Sequence, residues 1–456
     1  MQSGNGAECK PLCALKKFLS SIIINVENFL EELMAKFLVQ NNGPLSGEVT
    51  ISGAKNAVLP LMAASLLAEE PCEIKDVPDL RDVKVMKEIL ESVGSKVNTI
   101  KEGHLEIYTE KITSVEGCFE LVNKMRASFL IMGPLLARSG KGKVYLPGGC
   151  TIGARPIDLH LKGFEALGAE VILKDSYVEC VAPEGGLIGN SIYLDFPSVG
   201  ATENIMTAAV LARGTTSIFN AAEEPEIVDL ANFLNKMGAK IKGAGTDHIK
   251  IEGVEHLKSA KHTVIPDRIE TGTFMLAAAI TRGNVLIKNV VPDHVMPIAA
   301  KLRECGVDVF LEEQGMRIRA DEKDRHFKST DLKTLPYPGF PTDIQSPFMS
   351  YLTTVDGNST VIETVFENRF MHVAELNRMG ANIKTDGNRA YITGSKVLQG
   401  AQVIATDLRA GAALVLAGLA AEGTTEISEI YHIERGYEKF VEKFRNLGAN
   451  IFKLEE

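Results

Sequence analysis

Apolar positions along this chain fall into two alternating kinds of segment. The first kind is short and very apolar, in several cases with no polar face: residues 57–68, 128–137, 203–212, 272–281, 345–354 and 410–421. A helix without a polar face has to be buried all round. The second kind is amphipathic, as at 228–236, and ends in an apolar–Gly–small turn before a β-branched strand. That turn recurs at Val93-Gly94-Ser95, Leu167-Gly168-Ala169, Met237-Gly238-Ala239, Cys305-Gly306-Val307, Met379-Gly380-Ala381 and Leu447-Gly448-Ala449, at intervals of 68 to 74 residues. A fixed internal period marks a repeat architecture, here of six units that each read β-α-β-α-β-β. A superhelical solenoid is one way to stack them. Two closed three-unit domains suit fully buried helices better.

Composition narrows the function. A chain of 456 residues is too long for one core. Its net charge of −10 lacks the basic balance of a nucleic-acid binder. It can bind phosphates only by gathering Lys and Arg locally. Seven scattered cysteines, Cys9, Cys13, Cys72, Cys118, Cys150, Cys180 and Cys305, form no CxxC pair or Cys/His cluster. That pattern fits a reducing, cytoplasmic setting and offers no metal centre. No uncharged apolar run reaches the roughly 18 residues of a membrane helix. Residues 1–33 read as an appended amphipathic or poorly ordered tail, with Met34 as the expected original start.

Candidate chemistry lies before the buried helices and in one loop. Lys55-Asn56, Arg126, Ser198-Val199-Gly200, Arg268 with Glu270, Asp343, and Asp407 with Arg409 each lead into one of the six helices. Helix N-termini carry unpaired N–H groups and partial positive charge. If they converge, they build a site for phosphates. The loop Pro147-Gly148-Gly149-Cys150-Thr151-Ile152-Gly153-Ala154-Arg155 holds a single thiol among three glycines. A free thiol titrates near pH ~8.5, and a neighbouring arginine lowers that. Cys150 is therefore either a reactive loop thiol or a buried, inert cysteine. Asp343 is a general base, an N-cap for a helix starting near Gln345, or both. His160 is a proton relay or a packing histidine.

Five stretches carry a resemblance: Ser52-Gly53-Ala54-Lys55-Asn56, the Cys150 loop, Phe340-Pro341-Thr342-Asp343, Glu363-Thr364-Val365-Phe366-Glu367-Asn368-Arg369-Phe370-Met371-His372, and Ala405-Thr406-Asp407-Leu408-Arg409. They closely resemble the UDP-N-acetylglucosamine 1-carboxyvinyltransferases, a family of enolpyruvyl transferases, from about Phe37 to the C-terminus. The resemblance implies an α/β fold of two inside-out barrels, three β-α-β-α-β-β repeats in each, with helices inside and sheets outside. It places the first domain at 55–265 and the second at 34–54 plus 266–456. It implies transfer of enolpyruvate from phosphoenolpyruvate to the 3′-hydroxyl of UDP-N-acetylglucosamine with release of phosphate, an early step of peptidoglycan synthesis. No metal or organic cofactor is required, and the chain is expected as a monomer or weak homo-oligomer.

The resemblance also assigns residues. Cys150 is the acid at C3 of phosphoenolpyruvate and the target of the epoxide fosfomycin. Asp343 is the base for the sugar hydroxyl. Lys55, Arg126, Arg155 and Arg435 hold anions, with Arg369 and Arg409 from the second domain. Asn56 hydrogen-bonds a substrate or the intermediate, and Val365 lies on the strand facing the sugar. Arg155-Pro156-Ile157-Asp158-Leu159 resembles the uridine segment, and Ser198-Val199-Gly200 the diphosphate turn. Phe196-Pro197 stands where some members carry a lysine and a valine. The sister enzyme acting on shikimate 3-phosphate and a binding-only paralogue are the alternatives.

Overall fold

The computed structural model describes residues 35–122, 125–146, 157–322, 326–394 and 397–455. The six repeat turns have a common geometry. Gly94, Gly168, Gly238, Gly306, Gly380 and Gly448 all adopt positive φ, between 88° and 113°. In each, the following residue donates its N–H to the carbonyl five residues back, as Ala381 does to Leu376 (3.1 Å). This is a left-handed helix ending that only glycine adopts cheaply. The sequence period is thus a repeated chain reversal between an amphipathic helix and an edge strand.

Strands form six sheets, five of four strands and one of three. Each keeps its own edge strands, and among the described residues none closes on itself. The α/β architecture of many sheets is as expected, and the sheets themselves are open. Two strands early in the chain pair with distant partners. Lys36–Gln40 lies between Thr424–Ser428 and Asn450–Leu454, and Ser46–Thr50 runs parallel to Asn284–Lys288. In exchange, Lys261–Thr263 runs parallel to Cys72–Lys75. Buried apolar residues separate into two cores. One gathers residues 54–264; the other gathers 35–51 with 269–451.

The short apolar segments are helices α1 (Lys55–Ala64), α2 (Met132–Ser139), α3 (Val199–Ala209), α4 (Arg268–Ile280), α5 (Thr342–Leu352) and α6 (Leu408–Ala420). Most begin a few residues before the apolar run, so the polar lead-in residues form the first turns. The second segment differs: a 3₁₀ turn, Arg126–Ile131, precedes α2. In α4 every residue from Ile269 to Ile280 is buried, as the absence of a polar face requires. Helices α4, α5 and α6 pack on one another, and α1 packs on the Arg126–Ile131 turn. Among the described residues no helix is long and apolar enough to cross a membrane.

Candidate active site

Where the two cores meet, the starts of five helices are joined through carboxylates. Asp267 caps α4 by accepting from the Ile269 and Glu270 N–H groups (2.8 and 3.0 Å). Its second oxygen accepts the Lys55 N–H at the start of α1 (3.2 Å). The Lys55 ammonium turns to Asp82, 2.7 Å away, on a helix of the same core. Arg435, from the other core, donates to Asp82 through Nε (3.0 Å) and Nη2 (3.4 Å). Asp82 is thus one carboxylate shared by two cations across the junction.

Asp343 repeats the arrangement with the charges redistributed. It lies in the first turn of α5, where Arg369 Nη2 reaches one oxygen (2.6 Å) and Arg409 Nη2 the other (3.1 Å). The helix starts at Thr342 with Pro341 in the cap position, so the expected capping role is not found; the carboxylate faces the two guanidinium groups instead. Both arginines are about 4% exposed. Nε and Nη1 of each find no hydrogen-bond partner among the described residues. Buried donors of this kind are costly unless something accepts from them. Arg409 also lies over the Tyr437 ring (5.3 Å), and the Tyr437 hydroxyl meets Thr273 of α4 (2.8 Å). Pro60 in α1 and Pro347 in α5 stand four residues after Asn56 and Asp343. A proline there gives no helical hydrogen bond to the carbonyl of either residue.

The electrostatics follow from burial and charge sharing. Burial lowers the Lys55 ammonium below its ordinary value; Asp82 opposes this, and Arg435 and Arg409 add to it. Burial alone would raise the Asp82 carboxyl, but Lys55 and Arg435 hold it below the usual range. Burial works against the Arg409 charge, yet Tyr437, Asp343 and Asp267 raise its proton affinity.

A second grouping surrounds the start of α3. Ser198 caps the helix by accepting from the Ala201 N–H (3.4 Å), and half-buried Val199 and Gly200 follow. A Cβ on Gly200 would lie 3.2 Å from the His160 ring, which leaves little room for a side chain. His160 Nδ1 pairs with Asn204 Nδ2 at 2.9 Å. Burial, aided by the charge of Arg126, pushes the imidazole down to about 3. His160 is therefore neutral near pH 7, and with the Asn204 amide donating to Nδ1 its N–H lies on Nε2. This fits the packing and hydrogen-bonding reading better than a relay. Ile157 and Leu159 rest against the core, whereas Asp158 is exposed.

Of the residues singled out in the sequence, Lys55, Arg435, Asp343, Arg369 and Arg409 come together at the junction. Asn56 is exposed in the first turn of α1, and Val365 is half-buried with its N–H given to Glu363 (2.8 Å). Cys150, Arg155 and Pro156 lie outside the described residues. Sequence reasoning missed Asp82, Asp267 and Tyr437. Asp267 had a visible signal as an aspartate directly before a helix start. Asp82 sits inside an amphipathic helix whose charged residues read as a solvated face.

A cluster of cations and shared carboxylates on helix N-termini is set between two apolar cores, and such an arrangement is chemically able to hold small anions. The sequence matches the family model described as EPSP synthase (3-phosphoshikimate 1-carboxyvinyltransferase) over residues 39–444. A relative from Caldanaerobacter subterraneus subsp. tengcongensis named UDP-N-acetylglucosamine 1-carboxyvinyltransferase 1 is 61% identical, covering 92% of this chain and all of its own length. A relative from Carboxydothermus hydrogenoformans named UDP-N-acetylglucosamine 1-carboxyvinyltransferase 2 is 58% identical over 93% of this chain and all of its own. Among solved structures, the enolpyruvyl transferase NikO from Streptomyces tendae superposes with TM-score 0.83 at 23% identity, covering 93% of this chain and 99% of its own. EPSP synthase from Acinetobacter baumannii does so with TM-score 0.73 at 18% identity, over 92% of this chain and all of its own. The chain belongs to the 1-carboxyvinyltransferase (enolpyruvyl transferase) family, and its high-identity relatives carry the UDP-N-acetylglucosamine name.

Proposed function

We propose that this chain transfers the enolpyruvyl group of phosphoenolpyruvate to the 3′-hydroxyl of UDP-N-acetylglucosamine and releases phosphate. The observation that carries the reading is Asp343 clamped between the buried guanidinium groups of Arg369 and Arg409 at the start of α5. A carboxylate that accepts a hydroxyl proton then lies beside a socket for the carboxylate of phosphoenolpyruvate. The names of relatives 55–61% identical to this chain support the choice of acceptor.

In this reading the 3′-oxygen attacks C2 of phosphoenolpyruvate as its proton passes to Asp343, and C3 takes a proton from the Cys150 thiol. The result is a tetrahedral adduct. Loss of a C3 proton and of phosphate from C2 then restores the enol double bond. An ordinary carboxylate is a weak base for an alcohol, so proton transfer accompanies attack. Lys55, Arg435, Arg126 and Arg155 hold the phosphate charge while it develops on leaving. Asn56 hydrogen-bonds a substrate or the intermediate, Val365 faces the sugar, Arg155, Pro156, Ile157, Asp158 and Leu159 the uridine, and Ser198, Val199 and Gly200 the diphosphate. The overall reaction is redox-neutral and needs no added cofactor.

The proposal extends to the whole chain. Residues 55–265 and residues 34–54 with 266–456 form two three-repeat domains, helices inside and sheets outside, that close on the substrates. Synthesis of the cell wall precursor in the cytoplasm is the setting, and fosfomycin alkylates Cys150. The test is phosphate release from phosphoenolpyruvate with UDP-N-acetylglucosamine or shikimate 3-phosphate as acceptor, with and without fosfomycin. Release with the nucleotide sugar alone, abolished by fosfomycin, is expected. Nucleotide-sugar binding without phosphate release would leave a binding-only protein.

A further inference from the structure

Glu363 is 2% exposed and makes no ion pair among the described residues, so its charge is held by hydrogen bonds alone. Oε1 accepts from the Thr334 hydroxyl (2.9 Å), the Val365 N–H (2.8 Å) and the Phe366 N–H (3.1 Å). Oε2 accepts from the Thr342 hydroxyl (2.9 Å). A buried carboxylate without a cation is expensive unless donors saturate it, and four do so here.

The position of those donors gives the carboxylate a purpose. Thr342 directly precedes Asp343. Val365 and Phe366 begin the turn that delivers Arg369, whose Nη2 lies 2.6 Å from Asp343. The backbone of Glu363 is itself fixed. Its N–H donates to the Asn388 carbonyl (2.9 Å), and its carbonyl accepts from Asn388 Nδ2 (3.0 Å). A second brace lies alongside: Thr364 donates its N–H to Thr334 Oγ1 (3.0 Å) and its hydroxyl to the Thr334 carbonyl (2.6 Å). One carboxylate therefore joins the helix start that carries Asp343 to the turn that carries its arginine.

We propose that Glu363 is a positioning residue that sets the reacting carboxylate of Asp343 against Arg369 through Thr342 and the 365–366 backbone. The inference rests on the proposed role of Asp343 as base. A merely structural role would lower stability, or binding and turnover together. A positioning role lowers turnover while the nucleotide sugar still binds.

The variants are Glu363→Gln, Thr342→Val and Thr342→Ser, assayed by phosphate release and by calorimetric binding of UDP-N-acetylglucosamine. Thr342→Val removes the single donor seen on Oε2 and guards against a Glu363 variant that does not fold. Glu363→Gln and Thr342→Val are expected to lower kcat by about 10- to 100-fold, the scale of a small misplacement of reacting groups, with little change in nucleotide-sugar affinity. Thr342→Ser, which keeps the hydroxyl, should restore most of kcat. In an Asp343→Asn background, Glu363→Gln should cost little more, because residues acting as a unit are not additive. Folded variants with wild-type kcat, or losses fully additive with Asp343→Asn, would overturn the inference while wild-type turnover leaves the proposed function standing. Absence of phosphate release by the wild type would overturn both.

Discussion

Asp82→Asn tests the shared-carboxylate geometry at the junction of the cores. The change keeps the side-chain shape and removes the one negative charge that Lys55 and Arg435 have in common. Two unit charges about 4 Å apart interact by about 4 kcal/mol at the effective dielectric of partly exposed sites. The two contacts are not equal. Lys55 is 12% exposed and Asp82 only 3%, so that pair is poorly screened. Arg435 is 32% exposed, and its share must be discounted for solvent. Removing one partner of a buried pair costs about 3–5 kcal/mol. The lower end, about 3 kcal/mol, is expected here because the asparagine oxygen still accepts one hydrogen bond. The Lys55 ammonium, already lowered by burial, loses its main counterweight, so its proton becomes easier to remove. Urea unfolding of wild type and variant measures the first effect. The alkaline limb of the phosphate-release profile, shifted to lower pH in the variant, measures the second. An unchanged urea midpoint together with an unchanged alkaline limb would refute the reasoning.

Further outcomes are expected. Asp343→Ala should remove turnover while UDP-N-acetylglucosamine still binds in calorimetry; loss of the folded state instead would make its structural role primary. Because the His160 imidazole is pushed down to about 3, its neutral form contributes stability that is fully present above the ordinary value of 6.5 and is lost as pH falls towards 3. NMR titration should show this ring unprotonated at pH 5, and a midpoint near 6.5 would contradict the burial argument. Glu270 is raised by burial to about 7, against the pull of Lys443. Its contribution to stability is complete below about pH 4.5 and fades as pH rises through 7, so Glu270→Gln should flatten the stability profile over that window. Gly380→Ala meets no neighbouring atom within 4 Å, yet its φ of 91° should cost about 1–2 kcal/mol in urea unfolding. A chain begun at Met34 should match the full chain in phosphate release.

Repetition made much of the fold legible. Six apolar–Gly–small turns need one backbone geometry, so their period marks the units directly. Helix starts were less legible, because α4 and α6 gain their first turns from Asp267 and Asp407, whose side chains accept the leading N–H groups. The strand exchange at Lys36–Gln40, Ser46–Thr50 and Lys261–Thr263 left no local pattern, since pairing partners hundreds of residues away set it. At the site, Lys55, Asp343, Arg369, Arg409 and Arg435 were readable through motif resemblance. The carboxylates that organise them were not. Asp82 lies on a helix and Glu363 at the end of a strand, where a charged residue ordinarily faces water. Only the tertiary fold turns each one inward to its donors.

The most direct test of the account is phosphate release by the purified chain given phosphoenolpyruvate with each acceptor in turn. One phosphate is expected per UDP-N-acetylglucosamine consumed, none with shikimate 3-phosphate, and none from Cys150→Ala. Release with shikimate 3-phosphate alone, or no release with either acceptor, would contradict it.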